Sequence, residues 1–263
     1  MRLSDEQLQD FHKNGFIVLK NFLSAQRCDA ILAKAKEHLE AKIEPIETEM
    51  GYSERSKVYR TDVTDYASHT KEENVVVRRL RQVYERDPIF KAWMEDEKIR
   101  PILQQILEDD VVLTTAHHNS IMTKMPYYSR ATGWHQDRRY WRYSDNNLVS
   151  VWLALGEERS ENGVLEFIPK SHHMTFKSGQ FDDKEYLKED DDVNTPLIAS
   201  KVFTVLQKGD VIIFHSLLLH RANYNSTDKP KISFVYTVKG AKTKAIEGSR
   251  SAQYPEVPLS HIA

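Results

Sequence analysis

Cysteine is nearly absent: Cys28 is the only one in 263 residues, so the chain cannot close an intrachain disulfide. A lone thiol fits a reducing compartment, and a cytoplasmic location is the expectation. Charge of one sign is also lacking. A formal net charge of -2 gives no global electrostatic reason to bind nucleic acid. No long hydrophobic run exists. The longest, Val211–Phe214 continued past His215 by Leu217–Leu219, falls well short of the roughly 20 apolar residues of a membrane span. The opening MRLSDEQLQDFHKNG is polar and amphipathic, without the apolar region or cleavage site of a signal peptide. The Asn225-Ser226-Thr227 sequon is therefore read as incidental. Neither an internal repeat nor a linker interrupts the chain, so one domain over residues 1–263 is expected. What is present is 40% hydrophobic, 29% charged and 10% aromatic residues, enough to fill a core.

The N-terminal part, residues 1–109, reads as a mostly helical flank with a surface excursion. Ser4 and Gln7 form a capping-box pattern ahead of Leu8 and Phe11, and Gly15 is placed to stop that helix. Phe16–Leu19 reads as a short strand. Ser24 can cap a second helix carrying Cys28, Ile31, Leu32, Ala35 and Leu39 on one stripe. Residues 42–75 are charged and poorly patterned, an excursion in which a lid role is a possibility and Tyr59-Arg60 a candidate lid contact. Helical spacing returns with Val76, Leu80, Val83 and Tyr84, and again around Ile99–Leu107.

After Asp110 the texture changes. Val111–Lys124, Leu148–Leu155, Gly163–Ile168, Val202–Val205, Val211–Phe214 and Lys231–Val238 are short, rich in β-branched and aromatic residues, and separated by turn signals. Helices followed by a run of strands predict an α+β chain with a mainly β core, a sandwich or jelly roll over residues 110–240. The acidic stretch Glu185–Asp192 reads as a solvated loop between strands.

The central chemical signal is Gly133-Trp134-His135-Gln136-Asp137. On extended backbone, residues i and i+2 share a face, so His135 and Asp137 can converge on one ion. A second imidazole would complete a two-His-one-carboxylate set with open positions, the arrangement suited to non-haem iron. The competing reading of an isolated His-x-Asp is a surface pair. A jelly roll returns a distant strand beside the first, so the third ligand belongs downstream. His220, after Leu217-Leu218-Leu219 and before a polar turn, is preferred to His215, which continues a strand and suits a packed role.

These pieces resemble the phytanoyl-CoA dioxygenase family of iron and 2-oxoglutarate oxygenases. The resemblance runs from about Asp110 to Gly240. It is carried by Lys124-Met125-Pro126, by Trp134-His135-Gln136-Asp137, by Asn162-Gly163 through Pro169-Lys170-Ser171-His172, and by Gly209-Asp210 through Phe214-His215 to His220. It implies a double-stranded β-helix, cupin-like, with iron(II) on His135, Asp137 and His220. It also implies 2-oxoglutarate and O2 as cosubstrates and hydroxylation of a C–H bond. The acid at Asp137 argues against a halogenase, where related enzymes carry a small residue.

The family's arginine for the far carboxylate of 2-oxoglutarate falls, by position, on Lys231. Lysine keeps the charge and loses the bidentate fork. Ser233 on the same strand face is expected to add a contact, and Trp152 and Ser120 to line that pocket; Trp152 is otherwise a core aromatic. A second departure is Lys170, where the family commonly has glycine. His172 is read as structural, and neither it nor His173 as a ligand. Beside the ligand pair stand Arg138, Arg139 and Arg142. Either they bind an anionic substrate or they form surface ion pairs, with Asp145 or Glu157 as candidate partners. An anionic small molecule or lipid-linked group is the expected substrate, and lipopolysaccharide sugar-acid (Kdo) hydroxylases fit such a cluster within the family. The alternatives are a non-catalytic jelly-roll sensor and a cupin-like metal isomerase or hydrolase that does not use 2-oxoglutarate.

Overall fold

A computed structural model of the protein describes residues 1–53 and 75–260; Tyr59-Arg60 and most of the expected excursion lie outside them. Helix α1 (Asp5–Asn14) starts at the expected capping box, with the Gln7 N–H on Ser4 Oγ and the Ser4 N–H on Gln7 Oε1. It stops at Gly15, whose φ of +85° is left-handed. A Cβ there would come within 2.5 Å of the His172 ring, so glycine is required twice over. Strand β1 (Phe16–Leu19) follows, then α2 (Ala25–Glu40), capped by Ser24.

Next come β2 (Ile46–Thr48), α3 (Glu49–Ser53) and β3 (Val77–Arg81). The helix expected around Val76–Tyr84 is instead β3 followed by a 3-10 turn, Val83–Glu85. Long-range pairing decides it. Arg79 stands opposite Glu47 on one side and Met122 on the other, so Val77–Arg81 completes a sheet rather than a helix face. Helices α4 (Pro88–Met94) and α5 (Arg100–Leu107) close the N-terminal part.

The remaining strands are β4 (Val111–Lys124), β5 (Thr132–His135), β6 (Leu148–Ala154), β7 (Leu165–Phe167), β8 (Val202–Phe203), β9 (Val211–His215), β10 (His220–Ala222), β11 (Lys231–Gly240) and β12 (Glu256–Pro258). A large antiparallel sheet runs β1-β9-β6-β11-β4-β3-β2, with β12 also on β4, and faces a smaller one, β5-β10-β7-β8. This is the jelly roll expected, except that β1, β2 and β3 of the flank extend its large sheet. Every residue of β11 is buried, because its two faces are both covered. Ile232, Phe234, Tyr236 and Val238 join the core under the helices, while Val235 packs toward the small sheet. Lys231 and Ser233 share Val235's face by the two-residue period.

The β4–β11 ladder is broken at one point. Tyr236 pairs with Asn119, but Thr237 pairs with Thr114, leaving Thr115–His118 without partners in β11. Such a bulge re-aims side chains. Glu185–Asp192 lies outside regular strands, as expected, yet Glu185 and Leu187 are buried, the Leu187 N–H donating to Trp134 O at 2.8 Å. Among the described residues no helix is long and apolar enough to cross a membrane.

Candidate metal centre

Strands β5 and β10 pair with His135 directly opposite His220, which brings the ring centroids to 4.2 Å. Gln136 is extended (φ -115°, ψ 122°), and the chain turns only at Asp137. The i and i+2 side chains therefore do share a side. Asp137 Oδ1 lies 3.6 Å from His135 Nε2 and 3.8 Å from His220 Nε2, too far for hydrogen bonds and with room for an ion between. His135 Nδ1 sits 2.8 Å from Gly133 O, and His220 Nδ1 2.9 Å from Leu218 O. A carbonyl can only accept, so each Nδ1 carries the proton and each Nε2 turns its lone pair into the cluster. Two neutral imidazoles and one carboxylate fit iron(II) and leave three positions open.

The second oxygen of Asp137 is held from behind. His118 Nε2–H donates to Oδ2 at 3.0 Å, and Ser150 Oγ–H lies 3.4 Å from it. Burial works against the charge of Asp137, but His118 and His220 outweigh it and keep the carboxyl well below the usual range. His118 was not singled out from the sequence. Nothing in a run of strand residues shows that a bulge will push it toward the metal position.

His215 takes the packed role expected of it. Its Nδ1 accepts the Leu217 N–H at 3.0 Å, its ring lies 5.3 Å from that of His172, and burial, reinforced by His172 and His173, pushes its pKa down to about 3. His172 and His173 both donate to His12 O, at 3.0 and 2.8 Å, tying their turn to α1. None of the three lines the metal cavity.

That cavity holds about 150 Å³ and contains the triad, Lys231, Trp152 and Ser120 on its walls. Ser233 is buried behind the wall. Three of the expected cosubstrate residues converge on a group the sequence did not suggest, the wholly buried Glu158. Its Oε1 accepts from Ser233 Oγ at 2.6 Å and Trp152 Nε1 at 3.1 Å, and its Oε2 lies 3.2 Å from Lys231 Nζ. Lys124 stands opposite Lys231 in register, its Nζ donating to Arg130 O at 2.6 Å. Burial, with Arg78 and Lys231 nearby, pushes the Lys124 pKa down to about 6.

Arg138, Arg139 and Arg142 are absent from the cavity wall. The Arg138 guanidinium donates to the carbonyls of Asp145, Trp141 and Tyr143. Arg139 pairs with Glu185 and lies 3.8 Å over the Phe181 ring. Arg142 is exposed. The 3-10 turn at Asp137–Arg139 swings this run away from the metal position. Other cations replace them. Arg78, Arg79, Arg81, Arg221 and Arg250 line the cavity with Lys124 and Lys231, whereas Asp137 is the one carboxylate among the described lining residues. Arg78 is paired with Glu49 at 2.8 Å, Arg221 with Glu166 at 2.8 Å, and Arg79 with Glu47. Against the effect of burial, Arg79 and Arg81 hold Glu47 down at about 2.

Residues 11–233 match the family described as phytanoyl-CoA dioxygenase (PhyH). The chain belongs to this family. Membership places it among the iron- and 2-oxoglutarate-dependent oxygenases. Phytanoyl-CoA dioxygenase domain-containing protein 1 of Bos taurus is 23% identical over 269 residues, 89% of each chain. The peroxisomal phytanoyl-CoA dioxygenase of Mus musculus is 24% identical over 86% of this chain and 65% of its own. Among solved structures, EctD from S. alaskensis with bound Fe superposes with a TM-score of 0.76 at 19% identity, covering 98% of this chain and 87% of that one. The epimerase SnoN, in complex with Fe3+, alpha ketoglutarate and nogalamycin RO, gives 0.72 at 17% identity over 93% and 86%. The structural likenesses establish the shared fold.

Proposed function

We propose that the chain is a single-domain hydroxylase that uses iron(II), 2-oxoglutarate and O2 to oxidise a C–H bond of an anionic small molecule or lipid-linked group. The observation that carries this reading is the triad of His135, Asp137 and His220, the first half-buried and the other two buried, with both imidazole lone pairs aimed at one carboxylate oxygen, inside a cation-lined cavity. When bound, iron(II) and 2-oxoglutarate would supply the oxidising chemistry, with O2 as the oxidant. The chain supplies the rest. His135 and His220 present neutral nitrogen donors, Asp137 presents one charged oxygen, and His118 fixes the other. The buried rings of Tyr140 and Trp141 line the cavity and help keep water out. No side chain is asked to act as nucleophile or general base.

Support for an anionic substrate moves from Arg138, Arg139 and Arg142 to Arg81 and Arg250, which lie on the cavity wall at 5% and 8% exposure. A guanidinium fork there suits a carboxylate or phosphate, and a sugar acid such as Kdo or a small acidic metabolite meets that demand. A single buried thiol fits a cytoplasmic setting.

The test is an assay of the iron-loaded protein with 2-oxoglutarate, O2 and a panel of sugar acids and small organic acids. Succinate formed in step with substrate oxidation is the expected result. Arg81→Ala and Arg250→Ala should raise KM by about tenfold or more while leaving iron binding intact. Activity that persists without O2 or without 2-oxoglutarate would identify a cupin-like isomerase or hydrolase. Metal binding with no turnover of any acid in the panel and no uncoupled succinate would identify a sensor.

A further inference from the structure

Glu158 has no part in the chemistry above, yet it is among the most enclosed charged groups in the protein, at 0% exposure. Its carboxylate takes the donors that were expected to receive the far carboxylate of the cosubstrate. Ser233 Oγ donates to it at 2.6 Å, Trp152 Nε1 reaches both oxygens at 3.1 and 3.2 Å, and Lys231 Nζ lies 3.2 Å away. Its backbone is pinned as well. The Glu158 N–H donates to Leu206 O and the Leu206 N–H to Glu158 O, both at 2.9 Å, so the side chain is anchored at its root.

We infer that Glu158 is a specificity-determining residue, a built-in carboxylate that balances Lys231 and weakens the preference of the pocket for 2-oxo acids carrying a second carboxylate. The inference rests on the reading of the cavity as an iron and 2-oxoglutarate site. Lys231 and Glu158 form a neutral buried pair. Lys231 has three donors and can still hydrogen-bond a ligand, but a second carboxylate at its ammonium lies beside a like charge in a desolvated place. Such a carboxylate gains less than it would from an unpaired cation. Lys124 across the ladder does not restore the balance near neutral pH, because burial beside Arg78 and Lys231 keeps its affinity for a proton low. An arginine in place of Lys231 has five donors in a fixed fork and could serve Glu158 and a ligand together. The lysine makes the competition sharper.

The experiment compares 2-oxoglutarate with 2-oxopentanoate, which has a methyl group where the far carboxylate would be. Each is titrated anaerobically into the full-length iron(II)-loaded protein, following the visible band of the chelate and the heat of binding. Wild type should prefer the diacid by less than about tenfold, and Glu158→Gln should raise that preference by about tenfold or more, through tighter 2-oxoglutarate binding. Lys231→Arg should shift the ratio the same way, which keeps the test decisive if the buried glutamine variant folds poorly. A strong diacid preference in wild type, unchanged in both variants, would overturn the proposal and leave Glu158 as a structural brace. Iron binding with no response to either acid would instead bring down the cosubstrate reading itself.

Discussion

His118 Nε2–H donates to Asp137 Oδ2 at 3.0 Å and leaves Oδ1 as the oxygen that faces His135 and His220. One carboxylate is thereby divided between a positioning contact and a ligand contact. His118→Ala should lower iron(II) affinity by about 10- to 100-fold, as the loss of a partner behind a ligand commonly does. An anaerobic iron titration checks this. His118→Asn, which keeps a donor, should recover part of the loss.

The two histidines at the end of β9 and the start of β10 are proposed to serve different roles. His220→Ala should abolish stoichiometric iron binding with little change in the circular dichroism spectrum. His215→Ala should keep the iron and lower the unfolding temperature, because the Leu217 N–H loses its acceptor. Iron retained by the first variant and lost by the second would reverse the assignment.

His215 also sets an acid limit. Its folded pKa is pushed down to about 3, against roughly 6.5 for an unfolded histidine. Between those values the unfolded chain holds a proton that the folded chain excludes, so stability falls as pH drops through the window and is fully present above it. His215→Gln removes the titrating group and can keep an acceptor for the Leu217 N–H. Its unfolding temperature should fall less than that of wild type between about pH 6.5 and pH 5. Parallel pH profiles for the two proteins would show that other groups carry the acid sensitivity.

Arg138 stands next to a proposed ligand but ties down three carbonyls of the loop that follows. Arg138→Ala should cost about 1–2 kcal/mol of stability in a denaturant titration. Substrate KM should stay near wild type, in contrast to Arg81→Ala. A large KM effect with unchanged stability would return Arg138 to the substrate site.

Much of this arrangement was legible because it is written in local patterns. The strands after Asp110 announce themselves by β-branched runs, and the His135–Asp137 spacing carries its own geometry. Contacts made across the sheet were not legible. The stretch Val76–Tyr84 has helical spacing and becomes a strand because β2 and β4 flank it. His118 faces Asp137 because of a mismatch between two long strands, which neither strand shows alone. Glu158 carries no signal of its own in the sequence, and only the return of β11 buries it against Lys231. Arg138 and Arg139 differ in the opposite direction: they are next to two candidate ligands in sequence, and the 3-10 turn at Asp137–Arg139 carries them off the cavity wall.

The three donor groups all hang from the small sheet or from the turn that leaves it, and the large sheet reaches them through His118. His135 and His220 belong to the small sheet, whereas Asp137 is steadied by His118 from the bulge of the large one. An ion seated among them would clamp β5 and its following turn to β10, and whatever binds only the folded state stabilises it, more so the tighter it binds. The unfolding temperature of a preparation would then serve as a gauge of its iron content. Stripping the metal would be felt first at the β5 edge of the small sheet, as increased hydrogen exchange at the backbone amides of β5 and β10.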